Sequence, residues 1–178
     1  MARRKKATAA VARRRRPRPA RQRPGKPEIT ISKRTKAVRV SQQRLRRLIE
    51  FVCDAEDRPI AAVDLAVVDQ AEMRALAGRY LGRAEATDVL SFDLSDRHRP
   101  STRSRQPISA QIVVCGDLAA REARLRRHSA RRELMLYVVH GLLHLMGYKH
   151  ATGRGAARMH AREDQLLTEF GEGPAYGQ

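Results

Sequence analysis

The segment "VVHGLLHLMGYKH", residues 138–150, is the most informative part of the sequence. It is an apolar run that carries three of the six histidines of the chain. A buried imidazole is costly unless a partner satisfies it. His140 and His144 are four residues apart, so a helix places them one turn apart on one face. Gly147 then permits the helix to end and the chain to turn back, which lets His150 approach the same point.

Three converging histidines predict a divalent metal site at the C-terminus of this helix. Three protein ligands leave a fourth position open for water, which is the catalytic rather than the structural arrangement. The predicted metal ligands are therefore His140, His144 and His150, and they are also the predicted catalytic residues through that water. The alternative is that each is a satisfied core or surface residue, but the spacing and the apolar neighbours favour the metal. In the zincin motif HExxH a glutamate follows the first histidine as base, whereas this chain has Gly141 there.

Helices that alternate with short strands precede and follow this segment. The hydrophobic periods predict four strands, at 28–34, 62–68, 87–94 and 109–116. Helices are expected around them, and the predicted N-caps include Ser41, Asp69 (with Glu72 completing a capping box) and Asp117. We therefore expect one mixed α/β domain over residues 28–171, with a small mixed sheet of about four strands and helices packed on it. A short tail follows at 172–178.

The basic charge of the chain is concentrated at its N-terminus. The formal net charge is +18, and residues 1–27 hold twelve of the 37 basic residues and none of the 19 acidic ones, which leaves +6 on the rest. This segment is rich in Pro and has no apolar period, so we expect a disordered basic arm. It is interpreted as an arm that binds RNA phosphates, with a solvated tail or an organellar transit peptide as alternatives.

Composition also excludes several classes of protein. Cys53 and Cys115 form no CxxC pair and predict no disulfide framework, which fits a reducing compartment. We expect no membrane partner, because no apolar stretch approaches the roughly 20 residues that span a bilayer. The N-terminus lacks the apolar region of a secretory signal. A basic chain with a metal site favours a phosphodiester substrate over a peptide, and a small-molecule substrate is not expected.

The histidine segment resembles a known family signature. "HGLLHLMGYKH" is similar to the HGxLHLxGYDH motif of the bacterial YbeY proteins, which are metallo-endoribonucleases of rRNA maturation. "TDVLSF" (87–92) matches a strand motif of that family, and "GDLAAREA" (116–123) resembles its GDI segment, with Gln111 at a usually acidic position. Met159 and Glu163 match its late MxxxE helix. The resemblance covers about residues 28–170 and leaves out the basic arm.

The resemblance implies a specific activity. It implies one zinc ion bound by His140, His144 and His150, and cleavage of single-stranded RNA. It further implies a role in 16S rRNA 3′-end maturation and ribosome quality control in the cytoplasm, with rRNA and ribosomal particles as partners. Two alternatives stay open, a non-catalytic zinc-containing factor that associates with the ribosome and another metal-dependent hydrolase such as a peptidase.

Two positions depart from the family pattern. Lys149 stands where the family has an aspartate before the last histidine, and Leu81 stands where it often has an arginine. Because a long guanidinium can reach a phosphate from a neighbouring position, Arg79 and Arg83 are predicted as substitutes that contact the substrate. The alternative for either one is a solvated surface arginine. His128 stands beside arginines and is expected to be exposed.

Overall fold

The computed structural model describes residues 27–95, 107–150 and 152–176. The predicted basic arm, except Pro27, lies outside these ranges, and so do residues 96–106 between the third and fourth predicted strands. None of the helices in the described ranges has the length and apolarity to cross a bilayer. The elements follow the order β1 (Glu28–Lys33), α1 (Gln42–Ala55), β2 (Ile60–Val68), α2 (Gln70–Leu81), β3 (Val89–Asp93), β4 (Ile108–Cys115), α3 (Gly116–Leu125), α4 (Ala130–Leu145) and α5 (Gly153–Glu169).

The four strands form one mixed sheet in the order β1-β2-β4-β3. Strands β1, β2 and β4 are parallel, and β3 pairs antiparallel with β4 at one edge. Leu65 and Ser91 both pair with Ile112, so these three side chains share one face of the sheet. The predicted mixed α/β fold with about four strands is confirmed.

Helix α4 packs on that face as the central helix of the domain. Ten of its 16 residues are buried, and it contacts α1, α3, α5, β3 and β4. A helix that is apolar on nearly all sides belongs in a core. A Cβ built on Gly141 would lie 2.7 Å from Ser91 Oγ and 3.2 Å from Ile112 Cγ2, so α4 approaches the sheet as closely as glycine allows.

Two of the three predicted N-caps are confirmed. Ser41 Oγ accepts from the Arg44 amide at 3.1 Å, and Asp69 Oδ1 accepts from the Glu72 amide at 2.8 Å. These bonds satisfy amides that have no partner inside the helix.

The third predicted cap, Asp117, is wrong. Helix α3 already begins at Gly116, so Asp117 lies in its first turn, and the N-cap Cys115 makes no side-chain hydrogen bond. The Asp117 carboxylate accepts instead from the first amide of α2, that of Gln70, at 2.9 Å, and from Thr35 Oγ1 at 3.0 Å. It therefore caps a different helix, which is 47 residues away in sequence.

Candidate metal centre

The three predicted histidines meet at the C-terminal end of α4. Their nearest ring nitrogens all lie within 4.8 Å of one another, and Nε2 of His140 is 2.9 Å from Nε2 of His144. Gly147 has a φ of +100°, a left-handed conformation that turns the chain back and returns His150 to the end of the helix. The cluster could hold one metal ion. The negative end of the α4 dipole faces the same point and favours a cation there.

Each histidine of α4 has a partner on the nitrogen that faces away from the cluster. His144 Nδ1 lies 3.0 Å from the Tyr148 carbonyl, and His140 Nδ1 lies 2.6 Å from Glu163 Oε1. A carbonyl only accepts, so His144 Nδ1 carries the proton and its Nε2 is left with a lone pair. Burial, and next the proximity of His140, lower the pKa of His144 from its ordinary value, which keeps this imidazole neutral.

The orientation of the two helix histidines suits metal ligands. Each Nδ1 has an oxygen partner, so both Nε2 atoms turn toward the cluster, where they lie 2.9 Å apart. Histidine ligands of metals almost always donate their second nitrogen to a carboxylate or a carbonyl, and both kinds of partner occur here.

Glu163 is the functional residue that pattern reasoning did not assign. It lies on α5 and its side chain is fully buried. Its Oε1 contacts His140, and among the described residues its Oε2 meets no hydrogen-bond partner by distance and angle. Burying a carboxylate is costly unless a cation or a donor compensates. The sequence signal for Glu163 was its position four residues after Met159 on an amphipathic helix. That spacing does not show which element α5 packs against.

The predicted arginines lie on the α2 side of the sheet. The Arg79 guanidinium stacks over Tyr80 at 5.4 Å, and Tyr80 contacts Phe92. Neighbouring residues of a strand face opposite sides of a sheet, so Phe92 points away from the face that Ser91 presents to α4. Arg83 is exposed and follows the left-handed C-cap Gly82. The role of Arg79 and Arg83 in substrate binding stays a prediction.

The structure also shows how exposed His128 and Lys149 are. The expectation that His128 is exposed is wrong, because its side chain is 6% exposed and its Nε2 lies 3.0 Å from a carboxylate oxygen of the fully buried Glu133. The ring therefore packs against that buried acid instead of facing solvent. Lys149, in contrast, is exposed, as is His150 beside it.

Comparisons with known proteins find relatives over most of this chain. The family described as "Endoribonuclease YbeY" matches residues 30–171. The Endoribonuclease YbeY of Thermobifida fusca is 36% identical over 134 residues, which cover 73% of this chain and 86% of that protein. The Endoribonuclease YbeY of Salinibacter ruber is 40% identical over 124 residues, which cover 69% and 79%.

A solved structure supports the fold independently. The solution structure of TM1509 from Thermotoga maritima aligns with a TM-score of 0.53 at 23% identity, over 84% of this chain and 96% of that one. At that identity the likeness concerns the fold alone. The family match spans nearly the whole described domain and includes all three histidines. On these grounds the chain belongs to the YbeY family.

Proposed function

We propose that this chain is a zinc-dependent endoribonuclease that cleaves single-stranded rRNA. In this proposal it acts in 16S rRNA 3′-end maturation and ribosome quality control, in the cytoplasm, with rRNA and ribosomal particles as partners. The observation that supports it most is the cluster of His140, His144 and His150 in a chain whose relatives are named endoribonucleases. The strong positive charge supports a polyanionic substrate.

The residues of this chain would hold the ion and set its surroundings. When bound, zinc supplies a water of lowered pKa and polarises a phosphoryl oxygen. Glu163 and the Tyr148 carbonyl keep the protons of His140 and His144 on Nδ1, so that both Nε2 atoms face the ion. His150 is exposed, so the cluster opens to solvent on its side, where a phosphodiester can approach.

The geometry argues against the peptidase alternative. A zincin needs a glutamate directly after its first histidine. That position is Gly141 here, and a Cβ at this residue would meet Val89 Cγ2 at 3.1 Å in addition to Ser91. The position therefore faces the packed sheet and offers no room for the base of a peptidase.

The experiment is an RNA cleavage assay on the full-length protein. We expect cleavage of a single-stranded RNA that a chelator stops and zinc restores, and that His144→Ala reduces by at least about 100-fold because a metal ligand is removed. The matched control is Gln165→Ala, an exposed residue of α5 outside the histidine cluster and the pocket. Retained cleavage in the presence of the chelator, or in His144→Ala, contradicts the proposal. Cleavage of casein without cleavage of RNA would favour the peptidase.

A further inference from the structure

A second concave feature borders the histidine cluster. It is a pocket of about 230 Å³ between α3, α4 and the C-terminal segment, and its polar walls come from Asp88, Arg121, Glu122, Arg126, His140 and Tyr176. His140 belongs both to this pocket and to the metal cluster. Whatever occupies the pocket therefore lies beside the proposed reaction centre.

The charges of the pocket are balanced. Two guanidinium groups and two carboxylates line it. Arg121 Nη2 lies 3.0 Å from Glu122 Oε1, and Arg126 Nη1 lies 3.3 Å from Oε1 of the buried Glu133. Asp88 Oδ1 already accepts from Thr87 Oγ1 and from the Val89 amide, each at 2.9 Å. A phosphate would meet as many anions as cations here. A neutral ligand with several donors and acceptors suits these walls better, because guanidinium groups donate and carboxylates accept.

The aromatic wall of the pocket is firmly built. Asp164 Oδ1 accepts from the amides of Ala175 and Tyr176, at 2.6 and 3.0 Å. His160 stacks on the Tyr176 ring with centroids 4.2 Å apart. The Arg126 guanidinium also lies over this ring, 5.8 Å from its centroid, and Tyr176 is 41% exposed. A base that enters the pocket would therefore meet the exposed part of this ring beside the Arg126 guanidinium.

We infer that the pocket binds one unpaired nucleobase of the RNA, next to the bond that is cleaved. Proteins that recognise single-stranded RNA splay bases out, stack them on aromatic rings or arginine planes and bond their polar edges, and all three elements occur here. The volume is smaller than the roughly 300–1,000 Å³ of pockets for larger ligands, so it suits a base and not a base pair. Guanine is the expected base, since Arg donates to its O6 and N7 and a carboxylate accepts from its N–H groups. The inference rests on the proposed function only in taking RNA as the ligand.

The test measures binding without cleavage. Fluorescein-labelled pentaribonucleotides that differ only in the central base are titrated with the full-length protein in EDTA, and anisotropy gives each Kd. We expect the RNA with central guanine to bind best and Tyr176→Ala to weaken it about tenfold, as loss of one base stack would. Tyr176→Phe should keep the preference, because it keeps the ring.

Two arginine variants distinguish binding inside the pocket from the general attraction between the basic protein and RNA. Arg121→Ala removes a 60% exposed side chain of the pocket, and Arg124→Ala removes an exposed arginine one turn further along α3 that does not line it. Arg121→Ala should reduce the preference among the four RNAs about fivefold, while Arg124→Ala leaves it unchanged. A preference for another base that Tyr176→Ala abolishes still supports the pocket. Equal binding of all four RNAs, or equal effects of the two arginine variants, overturns it, whether or not the protein cleaves RNA.

Discussion

His140 shows how the chemistry of one residue is set by neighbours that are distant in sequence. Its Nε2 faces His144, and its Nδ1 contacts Glu163, which lies 23 residues further along the chain. The two contacts assign opposite roles to the two ring nitrogens, one toward the cluster and one toward a buried acid. Without the acid or another acceptor on Nδ1, His140 would have no fixed tautomer.

At this scale we predict that Glu163→Gln weakens zinc binding. The amide keeps the shape of the side chain but accepts a hydrogen bond less strongly, so His140 becomes a poorer ligand, and changes of this kind cost about 10–100-fold in metal affinity. Competition with a chromophoric chelator measures the zinc Kd. Glu169→Gln is the matched control, because Glu169 is exposed on the same helix and bonds Gln165. Equal zinc affinities for the two variants would remove Glu163 from the metal site.

The sequence predicted the histidines but not their support, and the reason is the range of the contacts. His140 and His144 are neighbours through helical spacing, which is local and can be read directly. The contact between Glu163 and His140 depends on how α5 packs against α4, and the contact between Asp117 and Gln70 depends on the neighbouring helix. No local pattern reports such packing. The family motif marked Glu163 without saying what it touches.

At the scale of an element, α4 must both pack in the apolar core and carry polar ligands, and these two requirements usually conflict. It is the most buried helix of the fold, yet its last turn carries a polar cluster. Gly141 permits both, since it lets the helix lie against β3 and β4 while His140 and His144 stay at the rim. A single residue thus couples core packing to the position of the site.

We predict that Gly141→Ala lowers the free energy of unfolding by about 1 kcal/mol or more. Overpacking a core costs about 1–3 kcal/mol, and the better helix propensity of alanine offsets up to about 1 kcal/mol of that. Urea denaturation measures the change. Gly153→Ala, at the start of α5, is the control, because nothing lies within 4 Å of the added Cβ. If Gly141→Ala is as stable as Gly153→Ala, α4 does not approach the sheet as described.

The hydrophobic periods predicted the boundaries of the strands closely, but they did not predict the order of the strands in the sheet. The predicted strand at 62–68 begins at Ile60, and the predicted strand at 87–94 is shortened to Val89–Asp93. Asp88 lies just before the strand, where its side chain accepts from Thr87 Oγ1 and the Val89 amide and its carbonyl accepts from the Cys115 amide of β4. The antiparallel placement of β3 at the edge could not be derived from its own residues, since strand order is decided by connections and not by local composition.

At the scale of the whole molecule, we predict that the basic arm and the rest of the chain have separate tasks. The domain over residues 28–171 carries the histidine cluster with a formal charge that is small for its size, and the arm carries most of the excess of positive charge. Charge that lacks a core-forming pattern adds affinity for phosphates without adding structure. We therefore expect that the strength of RNA binding and the metal site can be changed independently of each other.

Deleting residues 1–26 tests this division. We expect the melting temperature and the zinc content to stay unchanged, and the salt dependence of RNA binding to flatten. For single strands the log–log slope falls by roughly 0.7 for each phosphate that the protein no longer neutralises. Titrations of both proteins at several salt concentrations give the two slopes. Equal slopes would mean that the arm does not touch RNA and serves as a solvated tail or a targeting segment.

The central claim is that His140, His144 and His150 together hold one zinc ion. The most direct measurement is the metal content of the purified protein by mass spectrometry. It is compared with that of each of the three histidine-to-alanine variants, and His160→Ala, an exposed histidine outside the cluster, is the control. We predict about one zinc per chain in the wild type and the control, and a sharp loss in every one of the three variants. Stoichiometric zinc in all three variants, or none in the wild type after growth and purification with zinc, would contradict the claim.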